Sequence, residues 1–185
     1  MIGDHCIAAI GDAYIKGVRN FDIEKAYEAM RKNAFESPAN EKDYQNGMGR
    51  RALQSYLKYG YIPLEDSVPD AFHTKEQVSR TLEYAYDDFV LSQVAKQLQK
   101  NEDYKLLSVR AQNYRNVIDP QTGYAQGRYA DGTFLKEQNA FLFAKFITEG
   151  APCHYTWYVP HDPYGLMECM GGKEKFALKL DSMFS

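Results

Sequence analysis

Ile7, Ile10, Tyr14 and Val18 recur three and four residues apart, a spacing that collects side chains on one face of an α-helix. Asp22 stands as an N-cap before a second stripe of Ile23, Ala26, Tyr27, Met30 and Ala34. Residues 36–47 (ESPANEKDYQNG) are polar and turn-rich and predict a loop. Leu53, Tyr56 and Leu57 mark a third helix that stops at Gly60. Residues 61–70 (YIPLEDSVPD) contain two prolines and read as an extended connection. Thr74 to Gln77 has the form of a capping box, opening a long helix over about 75–99. That helix is apolar on several sides (Val78, Leu82, Ala85 and Phe89, but also Val90, Leu91, Val94 and Leu98), so it is expected to lie buried between neighbours. Asn101 is expected to cap the next helix, which carries Tyr104, Leu107, Ala111, Tyr114 and Ile118.

The pattern then changes. Asp119-Pro120-Gln121-Thr122-Gly123 and Asp131-Gly132 are turn chemistry around the β-like stretch Tyr124–Tyr129, which predicts a short hairpin within 119–135. Residues 136–153 read as irregular. A helix is expected near His154–Tyr158, broken at Pro160 to Pro163 and resumed over Gly165–Met170, with Gly171-Gly172 as its stop. Phe176, Leu180 and Met183 mark a last short helix. The fold class is all-α: helical hairpins with one β excursion, as in an α/α toroid, part of one, or a helical solenoid. Solenoid repeat signatures are missing.

Composition narrows the function. The 185 residues suit one compact domain or a piece of a larger one. A net charge of −3 lacks the basic excess of a nucleic-acid binder. No apolar run approaches a membrane span, and residues 1–12 show no signal peptide. Met1 to His5 run straight into helical pattern, which suggests that the sequence starts inside a longer chain. Three cysteines (Cys6, Cys153 and Cys169) do not make a disulfide framework. The distinctive feature is 15 tyrosines within 14% aromatic residues, suited to sugar stacking and equally to wet helix interfaces.

Three stretches could carry chemistry. Thr148 to Asp162 holds the single Trp, two of the four His and Glu149 followed by a glycine, all in irregular backbone. A carboxyl desolvated beside aromatic rings can serve as a general acid near neutral pH; the plainer reading is a helix-entry loop with a solvated Glu149 and a packed Trp157. Gly3-Asp4-His5 is either an N-cap or the lining of a pocket at a helix N-terminus. Arg80, Glu83 and Asp87 lie three and four apart and read as structural ion pairing along the long helix. No HExxH, P-loop, GxSxG, zinc or EF-hand spacing occurs.

Together these segments bear a family resemblance. GDHCIAAIGDAYIKG, GRRALQSYLKYGYIPLED, EQVSRTLEYAYDDF, RAQNYRNVIDPQTGYAQGRYADG and TEGAPCHYTWYVPHDPYGLMECMGG follow in the order seen in glycoside hydrolase family 92, over nearly the whole chain. The resemblance implies a calcium-dependent, inverting exo-α-mannosidase acting on mannose-containing glycans such as N-glycans, in the periplasm or at the surface of a bacterium. It implies an N-terminal β-sandwich followed by an (α/α)6 toroid, with residues 1–185 a slice of that toroid. The partner of the slice is then the remainder of its own catalytic domain. The family's Glu-Gly-Asn-x-Trp-Gln-Tyr-x-Trp stretch falls on Glu149 to Trp157, making Glu149 the catalytic acid and matching Tyr155 and Trp157. Ala151, Cys153 and His154 depart from the family's Asn, Trp and Gln, and are expected to alter the sugar site. Asp4 and His5 match the family's Gly-Asp-His segment near the pocket, so Asp4, His5, His154 and Trp157 are the expected substrate-binding residues. The resemblance puts the general base and the calcium ligands beyond residue 185, so no metal ligand is expected within the chain. The chain alone is expected to be inactive, with apolar helix faces, such as one side of 78–98, left without partners. Two alternatives stay open from the residues: another (α/α)6 carbohydrate enzyme (a glucosidase or glycoside phosphorylase), or a helical scaffold without activity.

Overall fold

A computed structural model describes residues 2–67 and 73–184. The chain folds as helix after helix. α1 (Cys6–Ile15) and α2 (Ile23–Phe35) form a first pair. α3 (Glu41–Gln45) and α4 (Leu53–Tyr59) lead to the long α5 (Gln77–Gln97), which packs against α6 (Asn101–Arg110) and a 3-10 turn at Asn113–Val117. Three further helices follow an irregular stretch: α7 (Pro152–Tyr155), α8 (Pro163–Cys169) and α9 (Lys173–Ser182).

α5 is the axle. Val78, Leu82 and Ala85 pack with Tyr114, Val117, Ile147, Val159 and Leu166 in one core. Leu91, Val94 and Ala95 pack with Ile7, Tyr27, Met30, Ala34 and Leu107 in a second. Tyr84 joins Ala52, Leu53, Tyr56 and Ile62 in a third. A helix that meets three cores must be apolar on several sides, as its sequence predicted. One side of 78–98 stays partly open, as expected: Tyr86, Phe89 and Val90 are half-buried and line an apolar depression with Ala8, Gly11 and Ile15, while the more exposed apolar side chains lie elsewhere, among them Val109, Phe141, Leu142, Phe143, Leu178 and Phe184.

Several ends differ from the sequence pattern. Asp22 caps α2 as predicted, its carboxylate accepting the Lys25 N–H at 3.0 Å. The loop at 36–47 contains α3, because Asn40 accepts the Asp43 N–H at 2.9 Å and nucleates one short helix. Thr74 does not cap α5, which begins at Gln77 after Glu76 in left-handed backbone. Its first amides are met by a distant strand of chain instead: Val78 N–H and Ser79 N–H both donate to Phe146 O, at 3.1 and 3.4 Å. Arg80 completes this end by reaching back to Lys75 O (2.7 Å) and His73 O (2.6 Å). Helical side chains lean toward the N-terminus, so Arg80 serves the start of α5 rather than pairing forward with Glu83 or Asp87. Asn101 is the first residue of α6 and makes no cap, and the helix closes at Arg110 before the 3-10 turn that carries Tyr114 and Val117.

Gly60 ends α4 in left-handed backbone, with a Cβ there only 2.8 Å from Asn116 Nδ2, so the position requires glycine. Part of the expected extended connection, 68–70, lies outside the described residues. The excursion at 119–135 is two tight turns. Antiparallel bridges Ile118–Ala125 and Arg128–Phe134 close them, and the Asp119 and Asp131 carboxylates accept from Gln121 N–H and Thr133 N–H. α7 starts at Pro152, earlier than expected, because proline suits the first helical position.

Candidate active site

One face of α5 organises the site. Ser79, Glu83 and Asp87 are four residues apart, so they stack along one side of the helix over about 12 Å. Each is buried, and each holds a segment from elsewhere. Ser79 Oγ accepts the Thr148 N–H at 2.9 Å, fixing the residue before Glu149. Glu83 accepts the Tyr155 O–H and stands 3.1 Å from His5 Nε2. Asp87 accepts the Asp4 N–H at 2.7 Å. The helix thus brings Asp4 and His5 from the chain's beginning alongside the loop that bears Glu149.

Beside this stripe lies a cavity of about 230 Å³, lined by Gly3, Asp4, Asn33, Gly49, Arg50 and Tyr84 among others. Arg50 is buried, its guanidinium over the Tyr84 ring, 2.6 Å from Asp88 and 3.7 Å from Asp4. Burial works against its charge, but Asp88, Asp87 and Asp4 outweigh that and hold it firmly cationic. Asp4 Oδ2, Arg50 Nε and Nη2, Glu83 Oε2 and Asp87 Oδ1 are buried without a hydrogen-bond partner. Buried polar groups are usually satisfied, so such a cluster marks a place where polar ligand atoms fit. Burial raises the Asp4 carboxyl above its ordinary value despite Arg50. It pushes Asp87 up to about 7, against the opposing pull of Arg50 and the Asp4 amide.

Glu149 lies apart from this cavity. It is exposed, in left-handed backbone (φ 52°), in an open depression with His73, Glu76, Phe143, Lys145 and Ile147. Left-handed backbone is uncommon for a residue with a side chain. Ala52, Glu76, Gln99 and Glu137 share it, so conformation alone does not single Glu149 out. Its setting does: the Thr148 amide is tied to Ser79, and the Gly150 carbonyl accepts the Ala144 N–H at 3.2 Å. The desolvation anticipated for Glu149 is not supplied by the described residues.

The other two predicted side chains serve the loop. His154 is exposed, its Nδ1 accepting the Ala151 N–H at 3.3 Å at the start of α7. Trp157 is half-buried, meets Phe176 edge-on and donates from Nε1 to Cys153 O at 2.8 Å. Its bonds join it to the packed side of the loop and not to Asp4 and His5. The sequence reading missed Ser79 and Arg50 and gave Glu83 and Asp87 the wrong partner. The four-residue spacing of Ser79, Glu83 and Asp87 was the signal available.

Among the described residues, no group of three or more His, Cys, Asp or Glu could hold a metal ion. Asp88 is taken up by Arg50 and Arg110, and Glu83 faces His5 and Tyr155. These residues do not fit a calcium ion. No helix among them is long and apolar enough to cross a membrane.

The model of the glycosyl hydrolase family 92 catalytic domain matches residues 1–185. A family GH92 alpha-mannosidase from Bacteroides thetaiotaomicron is 38% identical with a TM-score of 0.84, over 100% of this chain and 22% of that one. A GH92 inverting mannosidase from the same organism is 36% identical with a TM-score of 0.86, over 99% of this chain and 23% of that one. An uncharacterized secreted glycosidase of Arthroderma benhamiae is 29% identical over 97% of this chain and 26% of its own length. The chain thus spans about a quarter of the length of these relatives. Its helices and tight turns follow the helical fold of the matched structures, as the resemblance implied. The chain belongs to glycosyl hydrolase family 92, as part of its catalytic domain.

Proposed function

We propose that the chain is the acid-bearing part of an inverting exo-α-mannosidase that removes mannose from glycans. Glu149 is the general acid, and Asp4, His5, His154 and Trp157 contact the sugar. The observation that carries this reading is the α5 stripe. It anchors the loop of Glu149 and the Gly3-Asp4-His5 segment to one rigid helix, as a site that must hold a sugar beside an acid requires. Two relatives are mannosidases, one of them inverting, and another structure of the first is a complex with mannoimidazole.

In this reading Glu149 protonates the glycosidic oxygen as the bond to the leaving sugar breaks. A carboxylate base on the opposite face, about 6.5–9.5 Å from the acid, activates the attacking water. The base and any calcium ligands belong to the rest of the catalytic domain, which an N-terminal β-sandwich precedes. The protein acts outside the cytoplasm; the secreted relative from Arthroderma benhamiae supports that.

Glu149→Gln in the full-length protein tests the assignment. It should lower kcat by several orders of magnitude on unactivated mannosides and far less on substrates whose leaving group needs no proton. Equal losses on both would remove Glu149 from the role of acid. The 185-residue chain alone should release no mannose from α-linked mannobioses, with or without calcium. Turnover abolished by Glu149→Gln would instead locate a base within these residues.

A further inference from the structure

Glu83 is 4% exposed, with Tyr155 and His5 on its two oxygens. Tyr158 also faces it, and burial, then the Glu83 charge, holds the Tyr158 phenol in its protonated form. Burial and Glu83 act on Tyr155 in the same way, so it remains a donor. On the other side, Gly3 presses against the carboxylate: a Cβ there would sit 2.6 Å from Glu83 Oε2. His5 is at ion-pair distance from Oε2, yet that oxygen has no aligned hydrogen bond. Glu83 is thus wedged between the Gly3-Asp4-His5 segment and α7, which follows the Glu149 loop.

We propose that Glu83 is a positioning residue for the reaction, one that sets the spacing between the sugar-contacting Asp4-His5 segment and the loop of the acid. The inference rests on the functional reading above and adds to it the part that holds the two halves in register. Burying a carboxylate is costly, and an apolar side chain of similar volume would pack α5 at least as well. What an apolar residue cannot do is accept from a phenol on one side and face an imidazole on the other. Glutamine offers one acceptor oxygen and an NH2 donor, so it can accept from Tyr155 but can meet His5 only as a neutral donor, without the charge that faces the imidazole. Aspartate keeps both oxygens and the charge but falls one methylene short. Displacement of a reacting group by about 1 Å can cost about a hundredfold in rate. Glu83 reaches Glu149 and the sugar only through Tyr155 and His5, so its role is placement and not chemistry.

The test uses the full-length protein with Glu83→Gln, Glu83→Asp, Tyr155→Phe and the double variant Glu83→Gln/Tyr155→Phe. KM and kcat are measured separately on an unactivated α-mannoside and on an aryl α-mannoside with a good leaving group. Mannoimidazole binding is measured by calorimetry, and hydrogen exchange along α5 reports folding. The expected result for both Glu83 variants is a loss of about 10–100-fold in kcat on the unactivated substrate and a smaller loss on the aryl one, from a misplaced acid. KM should rise and mannoimidazole binding weaken, because Asp4 and His5 shift too. Tyr155→Phe should reproduce the kcat loss with less effect on KM. The double variant should lose more than either single one, since Glu83→Gln loosens the His5 side and Tyr155→Phe removes the link on the side of the acid. Kinetics within twofold of the parent, or equal losses on both substrates that track faster exchange in α5, would overturn the proposal. Failure of the unaltered protein to bind mannoimidazole or release mannose would instead overturn the functional reading, and this inference with it. A parent sensitive to Glu149→Gln but indifferent to Glu83→Gln and Glu83→Asp would sink only the inference.

Discussion

Asp87 and Asp88 are neighbours in sequence, both fully buried on α5, and their surroundings could hardly differ more. Asp88 faces the packed side. Arg110 binds it with two parallel bonds of 2.8 and 3.0 Å, Arg50 adds one of 2.6 Å, and Tyr56 donates at 3.1 Å. Arg110 also reaches Ala34 O at 2.9 Å, which ties α2, α5 and α6 at one point. Asp87 faces the stripe with Ser79 and Glu83. It accepts one backbone N–H, its Oδ1 is unpartnered, and burial pushes its carboxyl up to about 7. One turn of the helix therefore holds a saturated carboxylate and an open one, 100° apart, with Arg50 bonding the first and lining the cavity beside the second. Charge type does not distinguish structure from function here; the count of satisfied bonds does.

The sharpest way to break the contrast is to disrupt the closed side. Asp88→Asn or Arg110→Ala leaves buried charge without its partner, a loss of about 3–5 kcal/mol. Urea unfolding and hydrogen exchange in α5 and α6 of the full-length protein should both report it. A loss below about 1 kcal/mol would mean that the network is not what holds the three helices together.

The open side should respond to pH instead. An acid whose pKa rises on folding binds its proton more tightly in the folded state. Between its ordinary value of 3.8 and about 7, the folded chain therefore holds more protons than the unfolded one, and stability falls as pH rises through that window. The whole effect amounts to about 4 kcal/mol at most. Asp87→Asn removes this slope. The variant should gain on the parent in stability from pH 4 to pH 7 and keep a constant margin above. A margin independent of pH across that range would show that Asp87 titrates as an ordinary carboxylate.

Much of this division was legible in the residues, and the illegible part has a definite cause. The long helix, its burial on several sides, the Asp22 cap and the turns at Asp119 and Asp131 all follow from local pattern. The start of α5 does not, because its capping carbonyl comes from Phe146, far along the chain. Nor does the pairing of Glu83 and Asp87. Spacing put Arg80 beside them on paper, but the lean of helical side chains sends Arg80 toward His73 and Lys75. Glu149 and the Gly3-Asp4-His5 segment stood out by their residues and took their expected roles from the resemblance, while their common support on Ser79, Glu83 and Asp87 required the fold.

Arg80 gives a third and smaller test, because it belongs to neither side of the comparison. It is buried and spends its charge on two carbonyls and on Glu76 at 3.5 Å. Arg80→Ala should cost about 1–3 kcal/mol, with faster exchange at the first amides of α5. Turnover of the folded fraction should remain. Unchanged stability with turnover abolished would transfer Arg80 to the site.

The smallest expected effect is at the end of the stripe, where the site meets the loop of Glu149. Ser79 Oγ accepts the Thr148 N–H, and no other bond of Ser79 is needed to keep α5 helical. Ser79→Ala should therefore leave the Asp88 network and the exchange of central α5 amides as they were. At the loop, losing one hydrogen bond of about 1 kcal/mol should speed exchange of the Thr148 amide roughly fivefold. If the stripe acts as a rigid support, turnover on unactivated mannosides should fall by a similar factor, as the residue before the acid gains freedom. If exchange rises while turnover holds, the loop is placed by its other bonds, at Ala144 and Cys153, and Ser79 merely trims it. If exchange rises throughout α5 as well, the two faces are coupled, and the separation between Asp87's side and Asp88's side fails at its weakest bond.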